Sequence, residues 1–348
     1  MKFGIREFRF ADGDAPVVIG EIGVNHNGDS GLARRLIDVG AAAGVDIVKL
    51  QVFKSEKEIS RFTALAPYQS VGTGAQNQLE LCKALELSYP DLRALSDHCI
   101  DRKIGFLCSV FDSDSLAFVA DDLRATSVKV ASGEVTNLPF LEEIGRRRLG
   151  VILSTGGSTL AEIAAALAML RDSGCPELVL LHCISSYPAP DAELNLRAIG
   201  ALRDEFRLPV GFSDHSVGLE AAVAATALGA VAIEKHFTLD RAMPGPDHQA
   251  SLEPEGLRRL VDAIKTAHAM LGDGIKGVAP SERENLPLIR RSLVASRPLR
   301  RGERLTRDMI EIKRPATGIA PGSLPEVLGR ALDCDLESDQ PITWKSLV

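Results

Sequence analysis

The sequence of 348 residues contains six cysteines (Cys82, Cys99, Cys108, Cys175, Cys183 and Cys334) but no Cys-x-x-Cys spacing. That absence removes the common zinc and dithiol motifs. Several of these cysteines sit inside apolar runs, so buried, reduced thiols and a cytoplasmic setting are expected. No run of basic residues is long enough to line a nucleic-acid groove, and the net charge is −7, so nucleic acid is not an expected partner. No apolar segment approaches membrane-spanning length, and the stretch from Met1 to Arg6 lacks the apolar core of a signal peptide. Low-complexity tracts are also missing. What remains is the composition of an ordinary soluble protein, 45% hydrophobic and 25% charged. Its length suits one large domain and one small one.

The dominant pattern is an alternation of short β-branched runs with helical segments. The strand-like runs are Val17–Glu21, Ile47–Phe53, Ile104–Ser109, Ser127–Ala131, Val151–Ser154, Leu178–Cys183, Pro209–Phe212 and Val231–Ile233. Helices are expected between them, among them Leu160–Asp172 capped by Ser158 or Thr159, Leu194–Phe206 and Leu219–Leu228, with Leu257–Leu271 closing the series. Eight such units predict a (β/α)8 barrel. The unusual polar residues cluster at the carboxyl ends of the runs: Glu21, Lys49, Gln51, Ser109, Lys129, Ser132, Glu134, Ser154, Ser185, Tyr187, Ser213, His215 and His236. Barrel active sites are built at that face. The expected organisation is a barrel over residues 1–271, an exposed linker over 272–287 and a compact β-rich module over 288–348.

His215 and His236 end two neighbouring parallel runs, with Ser213, Asp214, Glu234 and Asp247 nearby. A lone loop histidine usually does no more than hydrogen-bond, but two at equivalent strand ends could hold a divalent metal. Lys49 and Lys129 lie inside apolar runs, where an ammonium is costly without an anionic partner. One reading gives them structural ion pairs with Glu21 or Glu134. The other joins them to Ser132, Ser154, Ser185 and Ser213 in a basic, hydroxyl-rich cup for a phosphate or carboxylate. The residues alone thus reach metal-assisted chemistry on a small anionic substrate.

Several motifs in order add to this: Glu21-Ile-Gly-Val-Asn-His26-Asn-Gly28, Val48-Lys49-Leu-Gln51, Val128-Lys129-Val-Ala-Ser132-Gly-Glu134, Ile152-Leu-Ser154-Thr-Gly, Leu181-His-Cys183, Gly211-Phe-Ser213-Asp-His215, Glu234-Lys-His236-Phe-Thr and Gly245-Pro-Asp247. Together they resemble the sialic acid synthase family across residues 17–345, and Lys313-Arg314-Pro315 is similar to that family's carboxyl-terminal antifreeze-like (SAF) domain. The resemblance implies condensation of phosphoenolpyruvate with N-acetylmannosamine or a related N-acyl amino sugar. The alternative is a legionaminate or pseudaminate synthase acting on a 2,4-diacetamido-trideoxy hexose. A metal-dependent aldolase and a non-catalytic sugar-binding protein are the readings outside this chemistry. By the same resemblance His215 and His236 hold Mn²⁺, or Mg²⁺ or Co²⁺. Lys49, Ser109, Lys129, Ser132, Ser154, Ser185 and Ser213 line the phosphoenolpyruvate subsite. Gln51, Tyr187, Asp247 and Arg314 meet the sugar, and Glu21 and Glu134 lie near the reacting atoms. It further implies a domain-swapped homodimer in which Arg314 completes the other subunit's site. Departures from the family pattern fall at Ser109-Val110, Ser185 and Gly157, and the residues between Tyr68 and Asn77 are expected to help choose the sugar.

Overall fold

A computed structural model describes residues 1–4, 6–65 and 74–348. The segment between Tyr68 and Asn77, expected to influence sugar choice, lies outside the described residues as far as Thr73. The chain divides into two compact units, Met1–Gly272 and Asp273–Val348.

The first unit opens with a two-stranded antiparallel hairpin, β1 (Lys2–Phe3) and β2 (Arg6–Glu7). Eight parallel strands then close into a TIM barrel in the order β10-β3-β4-β5-β6-β7-β8-β9. They are β3 (Val17–Gly23), β4 (Ile47–Val52), β5 (Gly105–Val110), β6 (Ser127–Val130), β7 (Gly150–Ser154), β8 (Leu178–Cys183), β9 (Val210–Asp214) and β10 (Ala232–His236). The helices include α1 (Ser30–Ala43), α2 (Ser55–Glu58), α3 (Gln78–Leu85), α4 (Tyr89–Asp101), α5 (Ser113–Ala117), α6 (Leu138–Arg146), α7 (Leu160–Asp172), α8 (Ala198–Phe206), α9 (Glu220–Ala227) and α10 (Pro254–Leu271). No helix among the described residues is long and apolar enough to cross a membrane.

Strand alternation sorts the side chains into two layers. Outward residues such as Val48, Leu50, Val128, Val130, Val151 and Leu153 pack into the core shared with the helices. Inward residues near the amino ends, including Ile19, Ile47, Leu107, Ile152, Val179 and Leu181, form a second core, which Met1, Phe3 and Phe10 seal from below. Complete burial of each such aliphatic side chain contributes about 1.5–3 kcal/mol. Above this apolar floor the inward positions turn polar, and that change of character creates the site.

Local signals explain most element ends. Thr159, one of two expected caps, starts α7 in a capping box with Glu162. The helix expected from Leu194 begins only at Ala198, because a short 3-10 turn (Asp191–Glu193) and Asn195, at φ 45°, precede it. After β5, α5 passes directly into a π-helical turn over Phe118–Asp122. β9 and β10 extend farther than their apolar runs, so His236 ends β10 itself and His215 follows β9 directly. All six cysteines are free, with Cys99, Cys108 and Cys183 buried.

The second unit contains α11 (Leu286–Ile289), an antiparallel pair β11 (Ser292–Ala295) and β12 (Ile310–Lys313), and α12 (Leu324–Val327). Its own core gathers Leu293, Leu299, Leu305, Ile310, Val327 and Ile342. Arg300 and Arg301 pair with Asp335 and Asp333 on its surface.

Candidate active site

The carboxyl ends of the barrel strands surround a cavity of about 150 Å³. Its floor is an ionic network. Lys49 Nζ lies 2.9 Å from Glu21 Oε1 and 3.7 Å from Glu234 Oε2, and donates to Ser109 Oγ at 3.0 Å. Lys129 Nζ donates to Ser154 Oγ at 2.6 Å and to the Val130 carbonyl at 3.2 Å. Ser213 Oγ donates to Glu234 Oε1 at 2.9 Å. Each of these ionisable groups is buried, so their charges interact strongly.

Burial raises the Glu21 carboxyl to about 7, against the pull of Lys49. Burial also opposes ionisation of Glu234, but Lys129, Lys49 and the Ser213 hydroxyl overcome it and hold that carboxylate at about 2. Lys49 responds the same way: burial lowers its pKa, Glu21 and Glu234 more than restore it, and the ammonium stays charged. Lys129 is pulled below its ordinary value by burial. Of the two carboxyls, Glu21 is therefore the one poised to carry a proton near neutral pH.

A hydroxyl and thiol wall stands beside the lysines. Ser132 Oγ accepts from the Gly156 amide at 2.9 Å and lies 3.4 Å from Cys183 Sγ, which is 4.0 Å from Ser185 Oγ. Gly156 makes this convergence possible: a Cβ there would sit 2.3 Å from Ser185 Oγ and 2.7 Å from Cys183 Sγ.

At the other side the rings of His215 and His236 are 5.6 Å apart between centroids, and the tilted Tyr187 ring packs against His215 at 4.1 Å. His215 Nδ1 faces the Ile184 carbonyl at 2.7 Å. A carbonyl can only accept, so Nδ1 carries the proton and Nε2 keeps its lone pair. His236 is held well below the ordinary range by burial and by His215, and its buried Nδ1 has no hydrogen-bond partner among the described residues. Asp247 Oδ2 lies 3.8 Å from that nitrogen, its carboxyl raised to about 6 by burial. Two neutral imidazoles, one with an unsatisfied nitrogen, fit a divalent cation. Among the described residues no three His, Cys, Asp or Glu side chains converge to hold a metal. The pair therefore suits an ion that fills its remaining sphere with water and substrate, as Mn²⁺ and Mg²⁺ do, rather than a closed structural zinc.

Gln51, Ser109, Ser132, Ser154, Ser185, Tyr187 and Ser213 line the cavity with Glu21, Lys49, Lys129 and both histidines. Glu134 does not line it; its Oε2 accepts from Asn137 Nδ2 at 2.7 Å. Of the two expected braces, Glu21 pairs with Lys49, whereas the place expected for Glu134 is taken by Glu234. Arg314 belongs to the second unit. The sequence places Glu234 near the histidine pair without assigning it a partner, and it assigns no role to Cys183. Two-residue alternation could have found Glu234, since it must face the same side as His236.

A closed parallel barrel with buried lysines, paired carboxyls and two imidazoles at its carboxyl mouth is the framework of an enzyme for a small anionic substrate. Known proteins narrow this further. The NeuB family model matches residues 36–276, and the SAF domain matches residues 290–348. The chain is 42% identical to N,N'-diacetyllegionaminic acid synthase of Campylobacter jejuni, covering 94% of this chain and 98% of the relative. It is 38% identical to the protein of the same name in Legionella pneumophila, with 95% and 94% covered. The structure of N-acetylneuraminic acid synthetase from Leptospira borgpetersenii superposes with a TM-score of 0.70 at 32% identity, over 78% of this chain and 90% of that one. This chain belongs to the NeuB family, with a carboxyl-terminal SAF domain.

Proposed function

We propose that the protein condenses phosphoenolpyruvate with a 2,4-diacetamido-trideoxy hexose, giving a legionaminic-type nonulosonic acid and phosphate. The observation that carries the anionic half is the floor of the cup, where Lys49 and Lys129 stand among Ser109, Ser154 and Ser213. For the sugar, the Campylobacter and Legionella relatives support the legionaminic alternative over N-acetylmannosamine, the first expectation from sequence.

In this reading the lysines and hydroxyls hold the phosphate and carboxylate, leaving carbon 3 of the enol phosphate free to face the sugar aldehyde. His215 and His236 hold a divalent cation, Mn²⁺ by preference, whose contribution is to polarise that aldehyde. Carbon 3 forms the new carbon–carbon bond as the aldehyde oxygen gains a proton, for which the Glu21 carboxyl, at about 7, is suited. Water adds to carbon 2 and gives up a proton. Collapse of the tetrahedral adduct breaks its C–O bond to phosphate and leaves the 2-keto acid. Gln51, Tyr187 and Asp247 orient the sugar, and Arg314 reaches it from the second subunit of a homodimer.

The test offers phosphoenolpyruvate, Mn²⁺ and a panel of amino sugars to the protein, followed by phosphate release and product mass. The diacetamido sugar should give phosphate and a nonulosonic acid in equal amounts. Faster turnover of N-acetylmannosamine would overturn the sugar assignment, and no phosphate from any sugar would overturn the condensation itself.

A further inference from the structure

The two strands that present the histidines carry an ion pair on their hidden side, where β4, β5, β6 and β7 are apolar. In β9 and β10, Ser213, Glu234 and His236 face the cup, whereas Asp214 and Lys235 turn the other way. Asp214 and Lys235 are register partners. At the tips of other strands the outward positions carry Val52, Val110, Val130 and Leu153, all part of the apolar core. Here an ion pair takes their place. Lys235 Nζ donates to Asp214 Oδ2 at 2.8 Å and to the Ser216 carbonyl at 2.6 Å. Asp214 Oδ1 accepts from the Ser216 amide at 2.9 Å and from Ser216 Oγ at 2.6 Å. Asp214, Ser216 and Lys235 are each 1% exposed.

Stability alone is a poor reason for such a pair, because well-packed apolar residues of similar volume usually serve as well or better. Its geometry suggests another. The four bonds close a ring around residues 214–216 and tie it to β10, and His215 is the residue inside that ring. The His215 side chain is otherwise restrained through Nδ1, by the Ile184 carbonyl, and by the Tyr187 ring. Among the described residues its Nε2 has only a 3.5 Å contact with Ser213 Oγ. Where Nε2 sits relative to His236 thus depends on the backbone that the ring immobilises.

We propose that Asp214, Ser216 and Lys235 are positioning residues that hold the His215 and His236 imidazoles at the spacing needed to share one divalent cation. This rests on the two-histidine metal reading. Lys235→Met, Lys235→Arg, Ser216→Ala and His236→Ala proteins are compared with wild type in three measurements. These are Mn²⁺ titration followed by the free-ion EPR signal, phosphoenolpyruvate calorimetry in metal-free buffer, and thermal unfolding. Lys235→Met should weaken Mn²⁺ binding by about 10-fold or more, the usual effect of losing an outer support of a metal ligand. Its phosphoenolpyruvate Kd should stay within about threefold of wild type, and Lys235→Arg should restore most of the Mn²⁺ affinity. Should Lys235→Met fail to fold, Ser216→Ala removes a single bond of the ring and carries the test, with a smaller loss of Mn²⁺ affinity in the same direction. Wild-type Mn²⁺ affinity in the folded variants, or equal losses of Mn²⁺ and phosphoenolpyruvate binding, would overturn the proposal. Unchanged Mn²⁺ binding by His236→Ala would instead show that the metal reading fails, and the positioning role with it.

Discussion

Two adjacent glycines offer a direct test of how the anion cup is built. Gly156 has an ordinary backbone conformation but no room: an added Cβ would lie 2.3 Å from Ser185 Oγ, 2.7 Å from Cys183 Sγ and 3.0 Å from Ser132 Oγ. Gly157 is the reverse, with φ +68° and nothing within 4 Å. Gly156→Ala must push the Ser185 hydroxyl and the Cys183 thiol out of the cup. Overpacking of this kind costs about 1–3 kcal/mol. An unfolding entropy of about 2.1 cal/mol/K per residue, over the unit Met1–Gly272, sums to roughly 0.57 kcal/mol/K and converts that cost to a Tm decrease of about 2–5 °C. Loss of one hydrogen bond to a charged ligand, about 1.5–3 kcal/mol, should raise the phosphoenolpyruvate Kd about 10- to 100-fold. Gly157→Ala carries only the left-handed backbone penalty, about 1–2 kcal/mol, so Tm should fall by about 2–4 °C with binding unchanged. Calorimetric titration and thermal unfolding of both variants separate the effects. The reasoning fails if Gly156→Ala binds phosphoenolpyruvate like wild type, or if the two alanines damage binding equally.

Three further outcomes follow from the geometry. Lys129→Met should raise the phosphoenolpyruvate Kd by about one to two decades while leaving sugar binding less affected, as calorimetry with each ligand would show; equal losses would make the lysine a general structural support. Burial holds His26 at about 4, and its Nδ1 accepts from the Gly28 amide. The unfolded chain takes up this proton near 6.5 and the folded one refuses it, so stability is full above pH 6.5 and declines towards pH 4 by at most about 1.4 kcal/mol per pH unit. His26→Asn keeps an acceptor for Gly28, and its urea stability should fall less steeply than wild type over that window. Finally, if Arg314 completes the partner's site, mixing Arg314→Ala with His236→Ala should regain activity once subunits exchange; exchange without recovery would place Arg314 at its own barrel.

The barrel was legible because its signals are local: β-branched runs, helical spacing and polar residues at each run's carboxyl end all lie within a few residues of one another. The pairing of the lysines was not. Glu234 meets Lys49 only because β10 closes against β3, and β3 against β4, a register set by the whole barrel. Glu134 is nearer Lys129 in sequence and was the obvious candidate brace, yet the 3-10 turn Ser132–Glu134 carries it to Asn137 instead. The late start of α8 has a similar cause, since the turn through Asn195 overrides the apolar spacing that begins at Leu194. Asp247 lies outside the strands, and the motif it stands in, rather than any periodicity, pointed to it.

Met1, Phe3 and Phe10 seal the apolar floor of the barrel, so among the described residues the cup is closed on that side. Lys49 and Lys129 line the cup above that floor, so if they hold phosphoenolpyruvate as proposed, it should bind before the sugar covers it. Departure runs in the opposite order. In the proposed reaction a phosphate left on the lysines would leave after the larger product, and free phosphate should compete with phosphoenolpyruvate rather than with the sugar. Initial-rate inhibition by phosphate, with each substrate varied in turn, reads this queue directly.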